Sequence, residues 1–191
     1  QRARAYAFER VQGHRLGSDD PEPVAIAHHP DVRRMVLSMR ASSEAARALG
    51  SAEHTADLQA QQHPVGPERR RRRGRAGLLT PVVKAWCTDL GIEVANTAIQ
   101  VHGGLGYIEE SGLPQHLRDA RIAAIYEGTN GIQALDLVGR KVARDQGAAL
   151  AELVAEIKLF LGTTPLVSGD LVVLGQRLRA AVADLEAATD W

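Results

Sequence analysis

The chain has 191 residues, with 23 basic and 23 acidic side chains and a formal net charge of zero. That length suits one sizeable domain, or a domain with an appendage. The balanced charge gives no global pull toward nucleic acid or acidic surfaces. Aromatic residues are scarce at 4%, and Ala, Leu and Val dominate the apolar set, a composition that suits helices packed on helices. Cys87 is the single cysteine, so no internal disulfide is available and a reducing, cytoplasmic compartment is expected. No run of about 18 apolar residues occurs, so no membrane-spanning helix is expected, and no signal-peptide pattern opens the chain. The first residue is Gln1, within what reads as a helix. The expectation is a piece of a longer protein.

Residues 1–12 read as the end of a helix, broken by Gly13, Gly17 and the Ser18–Pro23 cluster. Pro30 and Asp31 form a helix start, a proline in the first position and an acid in the first turn. Val32, Met35, Val36, Met39, Ala46 and Leu49 then recur on one face, with the small Ser42 between Met39 and Ala46. This helix is expected to fade in the fifties. Residues 61–75 look irregular: Gln61–Pro67 has loop chemistry, and Arg69–Arg73 with Arg75 make a dense basic run. That run reads as a solvated loop or as the polar start of the next helix. A nucleic-acid patch is the rival, though no stacking aromatics lie nearby; an anionic membrane surface is another.

Thr80-Pro81 predicts an N-cap and a first-turn proline. Val83, Trp86, Leu90, Val94, Ala98 and Val101 follow at helical spacing up to a glycine turn. Ser111–Pro114 marks a loop. Thr129 is placed to cap a helix with Ile132, Leu135, Val138 and Val142 on its apolar side. Two further helices are predicted, around Leu150–Leu161 and Leu171–Leu185. No strand-like alternation and no internal repeat stand out. The reading is all-α, an antiparallel helical bundle with a helical extension.

The stretch Gln100–Lys141 carries the chemistry. Gly103, Gly104 and Gly106 lack a Cβ, which lets the backbone approach a bulky ligand. Glu127 sits in a Tyr-Glu-Gly turn ahead of the helix opening at Thr129, and a carboxylate at the mouth of a pocket is a candidate general base. The competing reading is an exposed acid complementing a helix dipole. Glu109 and Glu110 read as surface charges. Arg118 and Asp119 read as an ion pair with each other or as contacts across an interface. His102 and His116 lack the spaced partners of a metal site and read as structural or solvent-facing.

Several motifs occur in order: Ala5-Tyr6-Ala7-Phe8-Glu9-Arg10-Val11-Gln12-Gly13, His29–Met35, Leu79–Lys84, and the Gln100–Lys141 block with its Tyr-Glu-Gly-Thr. Together they resemble the C-terminal helical domain of the acyl-CoA dehydrogenase family, over about three quarters of the chain. The part after Asp145 resembles the helical extension of one branch. The resemblance implies two domains, residues 1–145 as the bundle and 146–191 as the extension. It implies the C-terminal part of a bacterial-type, FAD-dependent enzyme that oxidises an acyl-CoA to the trans-2-enoyl-CoA, in fatty-acid β-oxidation.

In that family Glu127 is the base that removes the proton α to the thioester carbonyl, flanked by Tyr126 and Gly128, and the Gly128 amide meets that carbonyl. A carboxylate in a dry pocket has its pKa raised toward that of its task. Arg10 matches the arginine on the dinucleotide phosphates. Gln100, Gly103 and Gly104 match positions that approach the dinucleotide from a neighbouring subunit. His29 falls at a flavin-contacting His-Gln pair, with Pro30 in place of the Gln, and Val11-Gln12-Gly13 stands where Phe-Gly is usual. Thr129, Asn130 and Gly131 match positions that touch the cofactor after the base. The implied partners are an acyl-CoA, an electron-transfer flavoprotein, further copies in a homodimer or homotetramer, and N-terminal and middle domains. The other function class is a truncated, non-catalytic helical oligomerisation or partner module. A third is a nucleic-acid binder using Arg69–Arg75.

Overall fold

Pro30 starts a long helix because its missing N–H and fixed φ suit the first position, and Asp31 follows in the first turn. The computed structural model describes Gln1–Thr189, and the described chain is helical. The helices are α1 (Arg2–Glu9), α2 (Pro30–Gln62), α3 (Gly66–His102), α4 (Gly104–Tyr107), α5 (Leu113–Ala123), α6 (Asn130–Asp136), α7 (Ala148–Thr163) and α8 (Gly169–Thr189). Short 3₁₀ turns cover Ile26–His28 and Glu109–Ser111, and a π segment covers Leu137–Val142. Among the described residues no helix is long and apolar enough to cross a membrane.

Two compact units form, Gln1–His54 with Thr80–Ala134, and Thr55–Leu79 with the chain from Leu135. In the first, Ala3 and Ala7 of α1, Ile26, Ala27, Met35 of α2 and Val101 of α3 are buried together. Val32, Val36, Met39 and Ala98 pack against them, so the stripes read from the sequence do face a core. Each large side chain so buried contributes about 1.5–3 kcal/mol. Tyr6 stacks on His102, ring centroids 4.2 Å apart, which ties α1 to the end of α3. α2 and α3 run antiparallel here: Thr80 Oγ1 donates to Glu53, and Cys87 Sγ lies 3.9 Å from the Ala46 carbonyl. Burial pushes the Cys87 thiol pKa up.

Three elements depart from expectation. First, Val11–His14 (β1) pairs antiparallel with Pro23–Ala25 (β2). Four exposed residues, Val-Gln-Gly-His, are too short and polar a run to show alternation. Second, α2 continues to Gln62 and α3 begins at Gly66, so the irregular stretch shrinks to residues 63–65. Third, Thr80-Pro81 does not start a helix. Pro81 lies inside α3, fully buried. Its missing N–H removes the bond to the Gly77 carbonyl, a loss of about 3 kcal/mol in an isolated helix. Buried Ala76, Leu78 and Leu79 hold the turn before it, and the helix continues.

In the second unit the arginine run is the polar start of α3, the second of the two local readings. Arg71 and Arg75 meet Glu152 and Glu156 of α7 at 2.9 and 2.8 Å. Both pairs are spaced by four, so each helix presents them on one face. Arg72 pairs with Glu68 at 3.0 Å and donates to Gln59 of α2. Lys158 of α7 meets Glu186 of α8 at 2.6 Å. Asp145 caps α7, accepting from the Gly147 and Ala149 amides.

Gly106 has a packing role rather than the ligand-approach role read from the sequence. A Cβ there would collide with the Ile99 carbonyl and approach the His102 Cβ at 2.9 Å. Gly50, within α2, has nothing within 4 Å of an added Cβ. Gly106→Ala is therefore expected to destabilise by about 1–3 kcal/mol, and Gly50→Ala to stabilise by about 0.5–1 kcal/mol. Urea midpoints of the two variants check both signs.

Candidate functional site

Glu127 lies in the connection between α5 and α6. Among the described residues it is one of two non-glycine residues with positive φ, at 54°, and Gly128 follows at 87°. Two successive left-handed residues turn the chain sharply, and the non-glycine one costs about 1 kcal/mol. Tyr126 N–H donates to the Ile122 carbonyl, and Asn130 N–H to the Ala124 carbonyl at 3.2 Å. Thr129 caps α6 as expected, its Oγ1 accepting from Ile132 N–H at 3.3 Å. Glu127 itself is exposed. Ile122, Ile125, Tyr126 and Ile132 around it are each about half exposed, an uncovered apolar surface beside a carboxylate.

Below this turn lies Lys84, half-buried on α3. Its Nζ donates to the Gly128 carbonyl at 2.6 Å and to Asn130 Oδ1 at 3.0 Å. The Asn130 amide nitrogen donates to the Ala85 carbonyl, Thr88 Oγ1 and Asp89 Oδ1 at 3.1, 3.1 and 2.8 Å. Gln133 Nε2 reaches back to the Glu127 carbonyl at 3.3 Å. Sequence reading did not single out Lys84 or Gln133. A lysine and a glutamine on helices carry no local signal of a tie to a distant or preceding turn.

The other residues read from the sequence gather at the opposite end of the unit. Arg10 follows α1, exposed, its guanidinium donating to the uncharged Gln12 amide oxygen at 3.4 Å. His29 Nε2 lies 2.7 Å from the Gln12 carbonyl, and Gly13 (φ 71°) backs onto the His29 ring. His29 thereby fastens the hairpin to the start of α2. Gln100 is exposed in the last turn of α3, its carbonyl accepting from Gly103 N–H. Gly103 (φ 60°) and Gly104 have nothing within 4 Å of an added Cβ, so the backbone there is open to an approaching group. Thr129, Asn130 and Gly131 stay with the Glu127 turn. Thr88, beneath that turn, and Gln100 are twelve residues apart on α3, about 18 Å at ~1.5 Å per residue.

His102 is stacked on Tyr6 with Nδ1 2.7 Å from the Ala98 carbonyl, and His116 is exposed. Among the described residues no cluster of three His, Cys, Asp or Glu side chains is close enough to hold a metal ion. Arg118 is paired with Glu109 rather than with Asp119, through two contacts of 2.9 Å. Asp119 accepts from Gln115 instead. Adjacent residues on a helix do not face each other, whereas Glu109 offers Arg118 a bidentate carboxylate.

The family model for the acyl-CoA dehydrogenase C-terminal domain matches residues 4–143. The chain belongs to the acyl-CoA dehydrogenase family. It is 47% identical over 160 residues to 3-methylmercaptopropionyl-CoA dehydrogenase of Ruegeria pomeroyi, covering 81% of this chain and 27% of that relative. It is 32% identical over 187 residues to a butyryl-CoA dehydrogenase of Syntrophomonas wolfei, covering 96% and 31%. The solved butyryl-CoA dehydrogenase of Megasphaera elsdenii superposes with a TM-score of 0.53 at 28% identity, over 72% of this chain and 30% of that one. A further solved chain, described as Bd2924 apo-form, gives a TM-score of 0.69 at 24% identity, over 94% and 34%, and so shares the fold. This acyl-CoA dehydrogenase chain thus spans about a third or less of the length of those relatives.

The Arg118 guanidinium holds the Glu109 carboxyl below its ordinary value, chiefly through their hydrogen bond. A depressed folded-state pKa means that the pair's contribution is present above the unfolded value, about 4.3, and is lost as pH falls through the folded value. A side-chain NMR titration should place the Glu109 midpoint below that unfolded value. Arg118→Met should return it to the ordinary value; an unmoved midpoint would mean the pair does not form in solution.

Proposed function

We propose that this chain supplies the catalytic base of an FAD-dependent acyl-CoA dehydrogenase that forms the trans-2-enoyl-CoA in β-oxidation. The observation that carries the reading is Glu127, held in a left-handed turn over α3 within a chain of this family. The relatives named above are dehydrogenases of acyl-CoA thioesters, which supports that substrate class.

In this reading the Glu127 carboxylate takes the proton from the carbon α to the thioester carbonyl. The α C–H is a weak acid, so the base needs a water-poor setting. Ile122, Ile125, Tyr126 and Ile132 provide apolar surface around the turn, which the N-terminal and middle domains of the complete enzyme cover. The Gly128 amide donates to the thioester oxygen as charge develops there. Gly128 is suited to this because its φ of 87° disfavours side chains.

The residues present fit a flavin dinucleotide. Arg10 offers an exposed cation whose recorded partner is an uncharged amide, and Gly103-Gly104 offers backbone that no Cβ would obstruct. Both features suit a pyrophosphate. Arg10, Gln100, Gly103 and Gly104 hold the dinucleotide, with His29 fixing the hairpin next to it. Thr129 and Gly131 approach it from the turn that carries the base, and Asn130 secures that turn. When bound, FAD supplies the hydride acceptor for the β-carbon and passes electrons to an electron-transfer flavoprotein. In this reading the cofactor is shared between subunits of a cytoplasmic homodimer or homotetramer, as the family resemblance implies.

Glu127→Gln in the complete enzyme is expected to keep its flavin, read from the visible absorption, and to lose turnover by about 10³-fold or more. Wild-type turnover in that variant would reduce the motif to an inherited feature of a binding module. Arg10→Ala is expected to lower flavin content while leaving the thermal midpoint of the flavin-free protein unchanged. Full occupancy in that variant would remove Arg10 from the cofactor site.

A further inference from the structure

We infer that Lys84 is a positioning residue for Glu127, acting through the Gly128 carbonyl and Asn130. The inference rests on the reading of Glu127 as the base. Glu127 at φ 54° and Gly128 at 87° form a turn that an L side chain at the first position disfavours. Such a conformation persists only where its surroundings over-determine it. Three side chains do so here. Gln133 holds the Glu127 carbonyl, Lys84 holds the Gly128 carbonyl, and Asn130 fastens the downstream end to Ala85, Thr88 and Asp89.

Lys84 is the member that joins the other elements. Its ammonium bridges the Gly128 carbonyl and Asn130 Oδ1, two neutral oxygens of the same loop. Charge-assisted hydrogen bonds of this kind are shorter and stronger than neutral ones. Gln133 on the Glu127 carbonyl limits the direction in which the Glu127 side chain leaves the backbone, and the 2.6 Å contact from Lys84 fixes the peptide on the far side of the next residue, Gly128. That same residue presents the amide read as the donor to the thioester oxygen. One lysine thus helps to set both the base and the oxygen-binding amide against α3, the longest helix among the described residues. A flexible turn would leave the carboxylate to sample many positions, and a misplacement of about 1 Å costs about 10²-fold in rate.

The test uses the complete flavin-loaded enzyme with Lys84→Met, which keeps the stem and removes the donor, and Asn130→Ala, which removes the latch without changing charge. Both are expected to lower kcat by about 10²-fold, and Lys84→Met is expected to keep its flavin content. Both should raise the primary isotope effect measured with α-deuterated acyl-CoA, because α-proton removal becomes slower relative to the other steps. In a Glu127→Gln background, Lys84→Met should cost less than it does alone, since the part of its effect that runs through the base is already gone. An unchanged isotope effect, with activity falling only in step with the folded fraction, would overturn the inference. So would losses that multiply fully in the double variant. Should Lys84→Met fail to fold, Asn130→Ala carries the same comparison. Failure of the base reading is separately visible as turnover retained by Glu127→Gln alone, and would remove this inference with it.

Discussion

The Lys84 ammonium lies 2.6 Å from the Gly128 carbonyl, and the candidate site depends on that contact. A left-handed glutamate is an uncomfortable residue. It is tolerated because Gln133 holds the Glu127 carbonyl and the carbonyl of the next residue is bound to α3. α3 packs antiparallel to α2 through Thr80 and Cys87 and runs on to the Tyr6–His102 stack. The acid, the amide behind it and the cap of α6 are all fixed relative to that one helix. Rigid placement is what a base needs when its substrate is a weak carbon acid.

α3 also separates two tasks along its length. Near Lys84 and Thr88 it carries the turn with the acid. About 18 Å further on it ends in Gln100 and the open Gly103-Gly104 backbone, beside the α1 end that presents Arg10. The Glu127 turn and the exposed Arg10 and Gly103-Gly104 backbone are thus held on or beside one element. The start of α3, in the second unit, does neither job: Arg71 and Arg75 are committed to Glu152 and Glu156 of α7. Their charges are paired across two helices of that unit.

Much of this was legible in the sequence where the signal is local. Pro30 with Asp31 marked a helix start, Thr129 marked a cap, and the Val32–Met39 stripe marked a core face. The Tyr-Glu-Gly-Thr motif marked the family. Local signals also misled. Thr80-Pro81 has the chemistry of a helix start, yet buried Ala76, Leu78 and Leu79 carry α3 through it. Gly106 stands among glycines that face open space, yet it is glycine because the Ile99 carbonyl is in the way. What stayed invisible was long-range. Nothing near Lys84 announces that its partner lies 44 residues away at Gly128, and nothing in the arginine run announces the acids of α7. Those ties exist only once the helices are side by side.

The most direct measurement is a crystal structure of the complete enzyme with an unreactive acyl-CoA analogue bound. The account predicts the Glu127 carboxylate about 3–3.5 Å from the α-carbon, the Gly128 amide on the thioester oxygen, and Lys84 still on the Gly128 carbonyl. A thioester bound elsewhere, with a different acid facing its α-carbon, would contradict it.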